Sequence, residues 1–367
     1  ILIIFMKVLI VSDCPDSLIC GVTRKQNELI KELRKNHVAI LINPDDYFAL
    51  DIPYWHNVKA VLPNPISYYR LTRMIEQYDP NMIHIMTEGP LGLMTSIHCT
   101  LKGRPYTTMR CTRFELYFPH FEKLVSVYLD TFHSFSKVCI SPSPTLSLMN
   151  PHKNSIGILN GCNLQDFSHK GPYHYDIHKL PKPIFLYVGR ISKEKNIISL
   201  LEISTSLPGS VVIVGDGPLK NIYAKKYTNV HFMGWLQGKE LSAAYRTCDV
   251  LVFPSKTDTF GQVMVEAQVS GLPIAAYPVV GPVDVVDHMK TGYLDHNLLT
   301  SCMKAYELTK SQRCQERCIK HASSFSWETM CNKFLDCQVY HIKSKRPHIY
   351  RYIFASFISI LYFYYTL

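Results

Sequence analysis

A chain of 367 residues that is 47% apolar and 19% charged is long enough for two globular domains, and its composition excludes a disordered or fibrous polypeptide. Its 12 cysteines include no Cys-x-x-Cys pair, the nearest spacing being Cys314 to Cys318; this excludes a four-cysteine zinc site or an extracellular disulfide framework and fits a reducing cytoplasm. The formal net charge of +10 suits nucleic acid, anionic lipid and phosphorylated small molecules alike, but there is no zinc-finger spacing, RNP-like aromatic box or dense arginine run to favour nucleic acid.

The opening ILIIFMKVLIVSD is too short to span a bilayer and has neither a basic leader nor a small-residue cleavage site. It reads as a buried first strand, with Met6 the expected start. Short β-rich runs at Lys7–Val11, Val38–Ile42, Met82–Ile85, Tyr106–Met109 and Lys137–Ile140 then alternate with helical patterns over Gly21–Lys35, Ser67–Gln77, Pro90–Leu101 and His120–Phe135. Such alternation predicts a doubly wound parallel sheet. The pattern breaks over 164–183, where His, Gly, Pro and Lys cluster, and this stretch reads as a linker after a first domain of residues 6–163. A second alternating half follows over 184–325, with strands at Ile184–Val188, Val211–Val214, Val230–Met233, Val250–Phe253 and Pro273–Tyr277. A closing helix over 326–342 and a basic, apolar tail over 343–367 complete the chain. Lys343, Lys345, Arg346 and Arg351 in that tail precede an aromatic run that either lies on an anionic membrane surface or packs as a last helix. The expected architecture is α/β, with two Rossmann-like doubly wound domains facing across a cleft lined by the carboxyl ends of both sheets.

Three loops of the second half carry the chemistry. After Ile184–Val188 comes GRISKEKN, in which Arg190 can fork two phosphate oxygens and Lys195 adds a mobile charge, a receptor for the negative charge that develops on a departing diphosphate. After Val250–Phe253, the segment SKTDTFGQVMVEAQVSG sets Asp258 in a loop and Glu266 more than a turn into the following helix. The two carboxylates can hold different hydroxyls of one ligand, and Gly261 allows a phosphate to approach unpaired backbone N–H groups. VVIVGDGP lacks the third glycine of a dinucleotide fingerprint and no acid is placed for an NAD ribose, which argues against a dehydrogenase. Gly215 and Gly217 there either admit a ligand's base or phosphate or simply make a tight turn. In the first half, Gly21 opens a helix, Glu88 follows a strand in the turn Glu88-Gly89-Pro90, and Arg110, Cys111 and Arg113 follow another strand. Each of these is a candidate wall of the cleft.

Together, FLYVGRISKEKN, VVIVGDGP, HFMGW, CDVLVFPSKTDTFGQVMVEAQVSGLPIAAYPVVGPVDVV and SFSWE resemble glycosyltransferase family four, retaining enzymes of the GT-B fold that use nucleotide sugars. The second half matches almost end to end; the first matches more loosely through CGV, IHIMTEGPLG and CTRFE, in the manner of the branch of mannosyl- and sulfoquinovosyl-type lipid glycosyltransferases. The resemblance implies that Arg190 and Lys195 hold the diphosphate, Glu266 the ribose, and Asp258 with the backbone at Phe260–Gly261 the donor sugar, so that Asp258, Glu266, Arg190 and Lys195 carry catalysis. Gly21 would lie beneath the diphosphate, Gly215 on the donor, and Glu88 and Cys111 on the sugar side. No metal and no cofactor are implied, since cations and helix ends supply the positive charge. Front-face attack, in which a leaving-group oxygen takes the acceptor proton, requires no protein nucleophile, and the chain has no convincing catalytic carboxylate pair or Ser/His/Asp set. Cys111 stands where the family usually has histidine, Cys20 where Gly or Asn is usual, and Gly161-Cys162-Asn163 replaces a usual Gly-Val-Asp. The expected activity is transfer of a hexosyl group to a lipid or glycan hydroxyl by a cytoplasmic protein that is peripheral on a membrane. A degenerate nucleotide-sugar-binding protein and a nucleotide-sugar epimerase or hydrolase are the alternatives.

Overall fold

The structure, a computed structural model, describes residues 5–18, 20–51, 59–117, 119–149, 154–311 and 313–342. The tail 343–367 and residues 1–4 of the expected first strand lie outside them. The chain divides into two compact units, one formed by residues up to 158 and from 330, the other by 159–329.

In the first unit the chain runs β1 (Lys7–Val11), α1 (Gly21–Leu33), β2 (Val38–Ile42), β3 (Ala49–Asp51), β4 (Lys59–Val61), α2 (Pro65–Tyr78), β5 (Met82–Ile85), α3 (Pro90–Leu101), β6 (Thr107–Met109), α4 (Glu122–Ser134), β7 (Cys139–Ser141), α5 (Pro144–Met149) and β8 (Ser155–Gly157). Six strands form a parallel sheet in the order β2-β1-β5-β6-β7-β8. Val8 to Val11 and Met82 to Ile85 are buried without interruption, as strands covered by helices on both faces must be. The antiparallel pair β3–β4 was not expected; with three residues per strand it is too short for periodicity to register. The edge strand β8 escaped notice for the same reason.

In the second unit follow β9 (Ile184–Val188), α6 (Ile198–Ile203), β10 (Ser210–Val214), α7 (Lys220–Lys226), β11 (Val230–Gly234), α8 (Gly238–Thr247), β12 (Val250–Phe253), α9 (Gln262–Val269), β13 (Ile274–Ala276), α10 (Pro282–Val285), β14 (Gly292–Leu294), α11 (Leu298–Thr309), α12 (Arg313–Ala322) and the start of α13 (Trp327–Ile342). The sheet order is β11-β10-β9-β12-β13-β14, all parallel. Successive residues of one strand serve opposite layers: Ile184 and Leu186 join the core that holds Phe253 and Met264, while Phe185 and Tyr187 join the one that holds Leu200 and Cys302.

Residues 164–183, expected as a linker, differ from that reading because they pack as part of the second unit. The Arg246 guanidinium donates to the carbonyls of Ser168 (2.9 Å) and Pro172 (3.1 Å), the His174 amide donates to Thr247 Oγ1 (2.8 Å), and Phe167 and Ile177 are buried in the core. Two isolated apolar anchors among His, Gly, Pro and Lys leave no periodic signal. The closing helix α13 lies in the first unit from Met330 onward. There Phe334 meets His84 edge to face at 4.8 Å, and Gln338 accepts from Thr107 Oγ1 at 2.9 Å. Among the described residues no helix is long and apolar enough to cross a membrane.

Candidate active site

In the second unit the sheet order reverses direction between β9 and β12, and the loops leaving their carboxyl ends part to opposite sides. A ligand is received at such a switch point. The loop after β9 is tied down at each step. Tyr187 Oη donates to the Arg190 carbonyl (2.8 Å), the Ile191 amide donates to the Asp216 carbonyl (2.8 Å), and Asn196, in the left-handed region at φ 52°, donates from Nδ2 to the Pro254 carbonyl at the end of β12 (2.9 Å). Thr257 Oγ1 closes the arrangement on the Glu194 carbonyl at 3.1 Å. The two loops are thereby one rigid body.

That body sets Lys195 Nζ 2.5 Å from Asp258 Oδ1. Arg190 beside it is exposed, and among the described residues its guanidinium has no partner. Asp258 is also held from behind: a Cβ on Gly281, at φ 93°, would come within 2.9 Å of the Asp258 carbonyl, so only glycine allows the two loops to approach. Gly281 was not singled out in the sequence, although the Gly-Pro step at 281–282 is a turn signal.

Gly261 caps α9 in the left-handed region at φ 79°, and a Cβ there would lie 2.6 Å from Met264 Cε and 2.7 Å from Phe253 Cζ. Phe260 is buried in the core, so its side chain is structural and its backbone is what remains for a ligand. Glu266, 3% exposed, accepts a hydrogen bond from Tyr245 Oη at 2.9 Å. Tyr245 on α8 is a supporting residue that sequence reasoning missed, because within an amphipathic helix it looks like any core aromatic. Gly215 is oriented otherwise: its Cβ direction points at the Gly189 carbonyl, 1.9 Å away, and that of Gly217 at the Ile191 carbonyl, 2.4 Å away. The close approach these glycines permit is to the chain's own backbone, which braces the Arg190 loop.

In the first unit the corresponding reversal falls between β1 and β5. Cys20 caps α1 by accepting from the Thr23 amide at 3.4 Å. The neighbouring Cys14 thiol holds the Cys20 pKa down at about 5 against burial, with help from Thr23. Glu88 is buried and accepts from His133 Nε2 at 3.1 Å, while Tyr128 Oη donates to the Glu88 carbonyl. Burial disfavours a charge on His133, but Cys139 and Glu88 outweigh it and lift the imidazole to about 10. Arg110 and Arg113, candidate wall residues in the sequence, are engaged with Glu115 at 3.2 Å each. Cys111 between them is half-buried, and burial pushes its thiol up to about 11. The structure therefore groups Gly21, Glu88 and Cys111 in one unit and Arg190, Lys195, Asp258, Phe260, Gly261 and Glu266 in the other.

Asp13, which follows β1, accepts from the Leu91 amide (2.7 Å), the Gly92 amide (3.3 Å) and Thr87 Oγ1 (2.8 Å), and so caps α3. Burial outweighs these bonds and raises its pKa from 3.8 to about 6. A carboxyl raised on folding binds its proton more tightly in the native state, so its contribution is complete below about 4 and is lost as pH climbs through about 6. Chemical denaturation should show stability falling across that window, with a shallower fall in Asp13→Asn. Equal slopes in the two proteins would count against this assignment.

Residues 176–297 match the family described as Glycosyl transferases group 1, and that stretch lies within the second unit. Over 119 residues, 31% of this chain, the sequence is 41% identical to the sulfoquinovosyl transferase SQD2 of Arabidopsis thaliana, and the match spans only 23% of that protein. A GDP-mannose-dependent alpha-mannosyltransferase of Corynebacterium glutamicum is 25% identical over 90% of this chain and 88% of its own length. Among solved structures, Anabaena HepE in complex with UDP-glucose superposes with a TM-score of 0.68 at 17% identity, covering 90% of this chain and 98% of HepE. The sucrose-phosphate synthase of Thermosynechococcus elongatus gives 0.69 at 18% identity, over 91% and 99%. These likenesses agree with two Rossmann-like units of GT-B type.

Proposed function

We propose that the chain is a retaining, metal-independent glycosyltransferase that moves a hexosyl group from a nucleoside-diphosphate sugar, GDP-mannose or a UDP-hexose, to a hydroxyl of a lipid or glycan. The observation that supports this most is the hydrogen-bonded pair of loops at the β9/β12 reversal, which carries an exposed Arg190 and a Lys195–Asp258 pair and leads into α9, inside the stretch that matches the group 1 family. A diphosphate arriving there meets Arg190 at once. Lys195 then exchanges Asp258 for phosphate oxygens, and Asp258, released, accepts from a sugar hydroxyl. Glu266, which accepts from Tyr245 Oη, is assigned to the ribose. Charge growing on the leaving diphosphate is met by groups already in place, which is where such a site lowers a barrier most. Gly21 is assigned beneath the diphosphate, and Glu88 and Cys111 to the sugar side. The cytoplasmic, membrane-peripheral setting and the tail 343–367 as its contact belong to the same proposal.

Cys20 and Cys111, each replacing a residue usual in the resembling family, motivate the second reading, a protein that binds nucleotide sugars without transfer. Nucleoside diphosphate release from UDP-glucose, UDP-galactose and GDP-mannose, with and without mixed membrane lipids, separates them. Release that depends on lipid is the expected result and names the donor. Binding without release favours the second reading, and release without any acceptor points to hydrolysis.

A further inference from the structure

Cys14 and Cys20 bracket a tight turn in the first unit, where the Leu18 amide donates to the Pro15 carbonyl at 3.1 Å and folds the chain back on itself. The Cys14 backbone is fixed on both sides, its amide donating to Ser12 Oγ (3.1 Å) and its carbonyl accepting from Gln26 Nε2 on α1 (3.4 Å). Cys20 is fixed as the cap of α1, its sulfur accepting from the Thr23 amide (3.4 Å) and lying 3.3 Å from Thr23 Oγ1. So placed, the Cys14 thiol donates to the Cys20 sulfur. Two sulfurs in contact across a turn are positioned to be joined.

Their chemistry differs. Donors from Cys14, Thr23 and Val22 converge on Cys20 at the positive end of a 13-residue helix and keep it a thiolate at neutral pH, its pKa held at about 5. Cys14 is kept protonated, chiefly by that same neighbour. Both are half-buried, and beside Cys20 the Gly21 position is exposed, a Cβ there meeting nothing within 4 Å. A small reagent therefore has room to approach. No other cysteine combines these properties: Cys111 and Cys337 are half-buried but pushed up to about 11 by burial, and the others are buried.

We propose that Cys20 and Cys14 form a hydroperoxide-reactive site in the first unit, Cys20 as the attacking sulfur and Cys14 as the resolving one, which closes a disulfide across the turn. The Cys20 thiolate attacks one oxygen of a hydroperoxide. An S–O bond forms as the O–O bond breaks, the other oxygen takes a proton from solvent and leaves as water or an alcohol, and Cys20 becomes a sulfenic acid. The charge that kept the Cys14 proton in place is then gone. Cys14 gives up that proton and attacks the Cys20 sulfur, an S–S bond replaces the S–O bond, and the departing hydroxide takes the proton as water. Two thiols lose two electrons and the hydroperoxide gains them. The site stands independently of the donor assignment.

The test is stepwise addition of hydrogen peroxide to the reduced full chain at neutral pH, followed by alkylation and digestion with trypsin. Cleavage after Lys7 and Arg24 releases both cysteines in one peptide. At the first equivalents this peptide should escape alkylation at both sulfurs and weigh less by two hydrogens, while Cys111 and Cys337 react at least about tenfold more slowly. Cys14→Ser keeps a hydroxyl donor beside Cys20 and should stop at the sulfenic acid, where dimedone traps it. Cys20→Ser should leave Cys14 reduced at the same dose. Oxidation of Cys20 no faster than that of Cys111 or Cys337 overturns the site. So does a native chain in which Cys20 is oxidised while Cys14 stays free, or loss of the Cys14 thiol in Cys20→Ser.

Discussion

Glu266→Ala should reduce kcat/KM for nucleotide-sugar turnover by at least about a hundredfold, with most of the loss in donor affinity. A charged carboxylate hydrogen bond contributes about 1.5–3 kcal/mol, and a ribose offers two hydroxyls, so about 3–6 kcal/mol is at stake and each 1.4 kcal/mol is tenfold. The variant also leaves the Tyr245 hydroxyl without its acceptor inside the core, at about 1–3 kcal/mol of stability. These two losses need separating. Glu266→Gln keeps the volume and an oxygen for Tyr245 but gives up the charge, so it should melt close to the native temperature and still bind donor poorly. Tyr245→Phe removes the support alone and should weaken donor binding by a smaller factor than either. Calorimetric binding of the nucleoside diphosphate, run beside melting curves, distinguishes these cases. Native-like affinity in Glu266→Gln would remove Glu266 from the ribose and leave it a buried structural acid.

What made Glu266 legible was its placement: an apolar strand, a loop with an acid, then a helix with a second acid is a pattern that periodicity and turn chemistry both register. The same holds for β1, β2, β5, β9 and β12, whose runs of Val, Ile and Leu match the observed strands residue for residue. Sequence reasoning failed where a residue's role depends on something distant in the chain. Tyr245 matters because Glu266 lies against it, Gly281 because the Asp258 loop passes over it, and 164–183 because Arg246 collects its carbonyls.

Gly215→Ala should cost the second unit more than about 4 kcal/mol, enough to prevent cooperative folding in a domain of ordinary stability. The added Cβ would fall 1.9 Å from the Gly189 carbonyl oxygen, far inside contact distance. Backbone meets backbone there, so no side-chain rotation can relieve the clash. Neither strand end is free to retreat, because the Gly189 amide is bonded to the Val214 carbonyl at 3.0 Å and the Gly215 amide to the Gly234 carbonyl at 2.7 Å. Any relaxation must come from the Arg190 loop, and moving it also pulls Lys195 away from Asp258. The variant should therefore lose donor binding even under stabilising conditions in which it stays folded. Gly21→Ala is the matched control, since its Cβ meets nothing within 4 Å and alanine is the better helix former; its stability should equal or slightly exceed that of the native chain. Urea denaturation of the two variants beside the native protein decides the matter. A Gly215→Ala chain within about 1 kcal/mol of native stability would show that the glycine pair does not brace the diphosphate loop, and would return Gly215 to the alternative of a direct contact with the donor.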